Sequence, residues 1–243
     1  MTVQFLDKIR EQFRAFVAQH RLAEEKVQVL SARPLSPHEA IGRPDRQDFP
    51  LLKGKEAMLE ATFRGAPGQA YTDMPGNYTG TLGEVLALPL ADNFQRAVFV
   101  ASLNAVLRHL GLVDRTVHCR DQEPGQCAAQ LVRYVRERYG QPKIAFIGLQ
   151  PAMVEALAPR FPLRVTDLDP DNIGRQKYGV MIEGADRTQE AIAWADLVLA
   201  TGTTAVNNTL APLLGRKPVL FYGVTIAGVA YLEGYERICF CGH

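Results

Sequence analysis

After Pro142 the sequence repeats a pattern that few architectures satisfy: a short apolar run, a small polar or glycine-bearing turn, then a helix-compatible stretch. The apolar runs are Lys143–Ile147, Leu163–Thr166, Leu197–Ala200 and Pro218–Tyr222, with a last strand expected over Arg237–Cys241. Helical patterns fill Ala152–Ala158, Thr188–Trp194, Thr203–Leu214 and Thr225–Leu232. Strands that are apolar throughout must be covered on both faces, and alternating helices do this in a parallel sheet. The expected fold class is α/β, with a Rossmann-like parallel-sheet domain over residues 141–243.

The preceding residues, 1–140, read as a smaller α+β domain. Phe5, Ile9, Phe13, Phe16 and Val17 recur at helical spacing, which predicts a helix over residues 3–20. Val27–Leu30, Glu56–Phe63 and Gly68–Thr72 read as strands, the last two as a pair. Residues 31–55 carry four of the fifteen prolines and read mostly as loop. Long helices are expected over Asn93–Leu110, stopped by Gly111, and over Gly125–Tyr139, stopped by Gly140 and Pro142.

Composition narrows the function classes. With 27 basic and 26 acidic side chains the net charge is +1, so no global field draws the chain to nucleic acid or to an anionic membrane. No apolar run approaches the roughly 20 residues that span a bilayer. The N-terminus is amphipathic and mixed in charge, without the apolar core of a signal peptide. The expectation is a cytoplasmic protein, with no nucleic-acid or membrane partner. A homodimer is compatible with this organisation. The four cysteines, Cys119, Cys127, Cys239 and Cys241, then read as free thiols or metal ligands rather than a disulfide framework.

In an open parallel sheet, ligands bind beyond the carboxyl ends of the strands. Four such ends carry turns suited to a ligand: Gly148–Pro151, Asp167–Pro170, Thr201–Thr204 and Tyr222–Val224. The segment Thr201-Gly202-Thr203-Thr204 is the most pointed. A strand end, a glycine and three hydroxyls precede a helix start, where backbone N–H groups gather. Asn207 follows one helical turn after Thr203. The turn after the first strand is not GxGxxG, so a pyrophosphate cradle is weakly supported. Asp167 nevertheless lies 167 − 148 = 19 residues beyond Gly148, the offset of an acidic residue that grips a ribose diol. A nucleotide or S-adenosylmethionine cofactor is one reading of that offset, and a turn-shaping pair, Asp167 and Asp169, is the other. Those two carboxylates also offer hard ligands to a divalent cation. The tail, Cys239-Phe240-Cys241-Gly242-His243, offers softer ones. Alternation along a strand puts Cys241 and His243 on one face and Cys239 on the other. Cys241 and His243 are therefore expected to reach the ligand edge. His20, His38, His109 and His118 have no motif around them, and no nucleophile elbow is present.

Three segments together resemble a known family: DLDPDNIG (Asp167–Gly174), WADLVLATGTTAVNNTL (Trp194–Leu210) and KPVLFYGVTIAG (Lys217–Gly228) are similar to those of the family named for putative heavy-metal chelation. RAVFVASLNAVLRHLGL (Arg96–Leu112) is similar to a helix of the small domain that precedes it there. The resemblance implies an enolase N-terminal-like fold before the Rossmann-like domain, and a site in the cleft between them. It implies ligand contacts from Gly148, Asp167, Asp169, Asn172, Thr201, Gly202, Thr203, Thr204 and Asn207, with Asn104 facing the cleft. It also implies a small molecule or metal complex as ligand, with a divalent or heavy metal ion as the candidate cofactor. The alternative is a transferase or oxidoreductase working on a nucleotide cofactor in the same cleft. Asp167, Asp169, Cys241 and His243 are the candidate metal ligands.

Overall fold

The structure, a computed structural model, describes residues 5–31, 41–54, 56–215 and 217–243. It contains two sheets. The smaller is built by β1 (Lys26–Ser31), β2 (Ala57–Phe63), β3 (Ala66–Thr72) and β4 (Tyr78–Thr81), in the order β3-β2-β1-β4 with every pair antiparallel. Helix α1 (Phe5–Gln19) buries Ile9, Phe13 and Val17 of the predicted stripe together with Leu6, while Phe5 and Phe16 are only partly buried. A short helix, α2 (Leu82–Leu86), follows β4 behind a capping box of Thr81 and Glu84. Within the stretch expected to be loop, residues 41–54 are mostly turn and irregular backbone. Ser31 ends β1 instead, and the rest of that expectation falls on 32–40 and 55, outside the described residues.

Helix α3 (Asn93–His109) opens on Asp92, whose side chain accepts the Gln95 N–H at 2.8 Å. It buries every residue from Ala97 to Leu107, so it has no solvent face over its middle turns. One side lies on the small sheet, where a Cβ at Gly68 would come 2.2 Å from the Ala105 nitrogen. Only glycine permits that approach. Its other side meets residues of the larger sheet's layer, and a single apolar core runs through both.

The larger sheet has the order β11-β10-β9-β5-β6-β8-β7. Its strands are β5 (Ile144–Ile147), β6 (Leu163–Asp167), β7 (Gln176–Lys177), β8 (Val180–Gly184), β9 (Leu197–Thr201), β10 (Val219–Tyr222) and β11 (Arg237–Ile238). All pairs are parallel except β7 with β8. Helices α4 (Glu123–Tyr139) and α5 (Pro151–Leu157) pack on one face, α6 (Thr188–Trp194), α7 (Thr203–Val206) and α8 (Ala227–Glu233) on the other. This is the α/β parallel-sheet architecture read from the sequence, and an α+β layer precedes it.

Two local expectations need correction, and one element lay outside them. The helix expected over Thr203–Leu214 stops at Val206. Asn208 adopts φ +57°, a left-handed conformation that asparagine tolerates, and Ala211–Leu213 resumes as a separate 3₁₀ turn containing Pro212. The last strand is Arg237–Ile238 alone, and the chain then turns. The β7–β8 hairpin was not anticipated. Its loop residues Tyr178 and Gly179 take φ +50° and +83°, the geometry of a two-residue hairpin turn without the usual Asn-Gly signature. Among the described residues, no helix is long and apolar enough to cross a membrane.

Candidate functional site at the strand-order switch

β6 lies on one side of β5 and β9 on the other, so the direction of strand succession reverses between β5 and β9. Such a reversal opens a crevice at the carboxyl ends. The chain departs from both strands there: Gly148 follows β5 at φ +86°, and Thr201 ends β9. The two ends nearly touch, since a Cβ on Gly148 would lie 2.5 Å from Thr201 Cγ2. Above them is a cavity of about 940 Å³. It collects residues from all four turns read from the sequence, together with side chains from the N-terminal layer.

The expected site residues fall into distinct groups. Gly148, Asp167, Asp169, Asn172, Thr201, Gly202, Thr203, Thr204 and Asn207 all line the cavity. Several are also engaged in holding their own turns. Asp167 accepts the Leu149 N–H at 2.6 Å through one carboxylate oxygen and the Asp169 N–H at 2.6 Å through the other. It therefore clamps the β5 turn to the β6 turn. Asp169 accepts the Asp171 N–H at 2.9 Å. Thr204 donates to the Thr201 carbonyl at 2.7 Å, and the Thr201 and Thr203 hydroxyls pair at 3.1 Å. The threonine contact to the first turn of α7 is a long one, the Thr201 hydroxyl accepting the Thr203 N–H at 3.4 Å. The N-cap of α7 is Gly202, in helical conformation with no side-chain bond.

Asn104 does not line the cavity. It is fully buried, its amide donates to the carbonyls of Gln69, Val224 and Thr225 at 2.9, 3.2 and 3.0 Å, and its oxygen accepts the Gly228 N–H at 2.7 Å. Its place is a polar node between the two layers, because every polar atom it carries is already matched. Cys241 and His243 also lie off the cavity wall, whereas Cys239 is on it. The short last strand explains this: past Ile238 there is no strand alternation to carry Cys241 and His243 to the ligand edge. Cys241 accepts from Gln130 Nε2 at 3.6 Å, and His243 Nε2 stands 3.0 Å from Glu123 Oε2. Among the described residues, no three His, Cys, Asp or Glu side chains are grouped to hold an ion.

The N-terminal layer supplies residues that sequence reasoning missed. Glu56, Tyr71, Asp73, Asn93, His118 and Cys119 line the cavity opposite the strand ends. Glu56 has no motif, only its position at the mouth of an apolar strand. Burial, then the nearby charges of Asp167, Asp73 and Asp169, push its carboxyl up to about 7. Burial holds the His118 imidazole down at about 4, and Nδ1 stands 2.6 Å from the Cys119 carbonyl. The wall at neutral pH thus presents a neutral imidazole and a carboxyl poised between its two forms. Burial also raises the Tyr71 and Tyr222 phenols well above their ordinary range. Tyr222 donates to the Gly148 carbonyl at 2.6 Å, fixing the turn after β5 from the neighbouring strand end.

Residues 131–227 match the family model DUF364, described as "Putative heavy-metal chelation". A DUF364 protein of unknown function from Pyrococcus horikoshii shares the fold, at 18% identity and a TM-score of 0.52, over 89% of this chain and 78% of that one. A DUF364 protein of unknown function from Desulfitobacterium hafniense is similar at 14% identity and a TM-score of 0.49, over 73% of each chain. No curated protein matches. Residues 131–227 are thus similar to the DUF364 family, and the chain shares its fold with the archaeal structure.

Proposed function

We propose that the chain binds a small polar molecule or a metal ion carried in an organic complex, held in the cavity between the small sheet's layer and the carboxyl edge of the large sheet. The observation that carries this reading is the convergence of four strand-end turns with Glu56 and Asp73 on one cavity of about 940 Å³. A space of this size fits a ligand of cofactor dimensions rather than a bare ion. With no ready-made set of three protein ligands among the described residues, a metal would arrive with part of its coordination already filled. Glu56, Asp73 and Asp169 form the acidic wall for the cationic side of the ligand. Thr203, Asn207 and the backbone at Gly202 face its polar edge. The family's description supports the chelation reading. The nucleotide-enzyme alternative has less behind it. The β5 turn has one glycine, and Asp167, the residue at the ribose offset, already uses both oxygens to hold backbone N–H groups. The same proposal places the protein in the cytoplasm, acting without nucleic acid or membrane, and reads the N-terminal layer as enolase N-terminal-like.

The test combines native mass spectrometry and elemental analysis of freshly purified protein with thermal-shift titration. The probes are nickel(II) and iron(III), each free and as its citrate or histidine complex. The expected result is a retained ligand, or a midpoint shift of several degrees with a complex but not with the free ion. Glu56→Gln or Thr203→Val/Thr204→Val should remove it. A chain that carries nothing and shifts with none of the probes would overturn the reading.

A further inference from the structure

The end of the chain runs back along one stripe of α4. Glu123, Cys127, Gln130 and Tyr134 share a helix face at spacings of four, three and four residues. The tail meets them in reverse order. The Phe240 ring lies 5.8 Å from that of Tyr134, Cys241 Sγ is 3.6 Å from Gln130 Nε2, and His243 Nε2 is 3.0 Å from Glu123 Oε2. Cys127 sits in the middle of this zipper. The backbone N–H groups of Phe240 and Cys241 favour its thiolate against the larger, opposing effect of burial, and Cys127 acts in the same sense on Cys241. The zipper, with Cys241 on Gln130 and His243 on Glu123, thus brings two thiols 241 − 127 = 114 residues apart in sequence to one place on the helix. Cys127 is buried on the cavity wall, and Cys241 is half-buried behind it.

We propose that Cys127 and Cys241 form a dithiol site for a soft, thiophilic centre that is satisfied by two sulfurs, such as a mercuric ion or a trivalent organoarsenical. Sulfur ligands select soft acceptors. Zinc would need four ligands, and among the described residues no third His, Cys, Asp or Glu is grouped with this pair to hold an ion. Burial is the main influence on both thiols and raises them, so both enter the reaction protonated. An acceptor that displaces protons is therefore favoured over one that needs preformed thiolates. The two backbone N–H groups on Cys127 then stabilise the charge that its sulfur gains on ligation. With a monosubstituted arsenic(III) oxide the step balances without redox chemistry. The arsenic–oxygen bond breaks, two arsenic–sulfur bonds form, and both thiol protons leave with the oxygen as one water. This site goes beyond the cavity-edge reading and uses none of its threonines or carboxylates.

Phenylarsine oxide is the probe. Titration of the full chain, followed by native mass spectrometry and a thiol count after unfolding, should show one adduct and a fall from four reactive thiols to two. Differential alkylation of the wild-type adduct should map the protected pair to Cys127 and Cys241, a readout that needs no variant to fold. Cys127→Ala and Cys241→Ser should each weaken uptake at least 100-fold, while Cys119→Ser/Cys239→Ser keeps it. Thr203→Val/Thr204→Val, which tests the cavity-edge reading, should leave uptake unchanged. Protection of Cys119 or Cys239 instead, or undiminished uptake by Cys241→Ser, would overturn the proposal.

Discussion

The side-chain oxygen of Asn104 accepts the backbone N–H of Gly228 at 2.7 Å, which ties the helix at the centre of the molecule to the first turn of α8. The contact is close enough that a Cβ on Gly228 would lie 3.0 Å from that oxygen and 2.7 Å from Leu103 Cγ. The same amide serves three carbonyls, one in the small sheet and two in the turn after β10. Asn104→Ala would leave these groups buried and unmatched, each at a cost of about 1–3 kcal/mol, partly recovered by relaxation. Urea unfolding should therefore show a loss of about 3 kcal/mol, with ligand affinity of the folded fraction nearly unchanged. A variant as stable as wild type would mean that water replaces the amide.

Gly148 joins β5 to the cavity with φ +86°, and a Cβ there collides with Thr201 Cγ2 at 2.5 Å. Gly148→Ala should cost about 1 kcal/mol for the left-handed backbone and a further 1–2 kcal/mol for the collision. Thr201→Ser removes the offending methyl. Combined with Gly148→Ala, it should restore the second part and leave the first, a non-additivity that a double-mutant cycle measures directly.

Asp167 is expected to behave as a structural residue as well as a site residue. Asp167→Ala deprives the N–H groups of Leu149 and Asp169 of their acceptor. Stability should fall by about 2 kcal/mol. The Leu149 amide should exchange with solvent faster than in wild type, by more than the global destabilisation accounts for.

The carboxyl of Glu56 gives a pH dependence of definite sign. Its folded value of about 7 lies above the ordinary 4.5, so the native state holds a proton that the unfolded chain releases. Its contribution to stability is complete below pH 4.5 and is lost as the pH rises through 7. Glu56→Gln keeps the neutral form at every pH. The variant should match wild type near pH 4 and exceed it by about 2–3 kcal/mol at pH 8. Equal stability of the two proteins across that range would place the carboxyl in a better-solvated setting.

The sheet and its ligand edge were legible because their signals are local: apolar runs of four or five residues, each closed by a glycine, an aspartate or a threonine. What the sequence hid depends on distant pairing. Asn104 carries the same side chain whether it faces a cavity or three carbonyls, and only the arrival of Gln69, Val224 and Gly228 decides between them. Strand alternation would have aimed Cys241 and His243 at the edge, but β11 ends at Ile238, so a periodicity argument had no strand to act on. Glu56 and His118 come from segments that sequence treats as ordinary. Desolvation and the charges of Asp167, Asp73 and Asp169 raise the Glu56 carboxyl, and desolvation lowers the His118 imidazole. Among the nine cavity residues anticipated at the strand ends, location was readable. The division between holding a turn and facing a ligand was not.

The helix Asn93–His109, buried continuously from Ala97 to Leu107, also governs traffic. Two lobes joined by an exposed linker part like jaws, but here both sheets are pressed on one common axle and pinned to it through Asn104. A swing wide enough to admit a ligand would have to break that node and bare the core on both sides. Entry falls instead to the rim, where Leu168 lines the cavity while 56% of its surface faces water. For the ligand proposed above, substitutions in the segment after β6 should change the residence time more than substitutions at the joint between the layers.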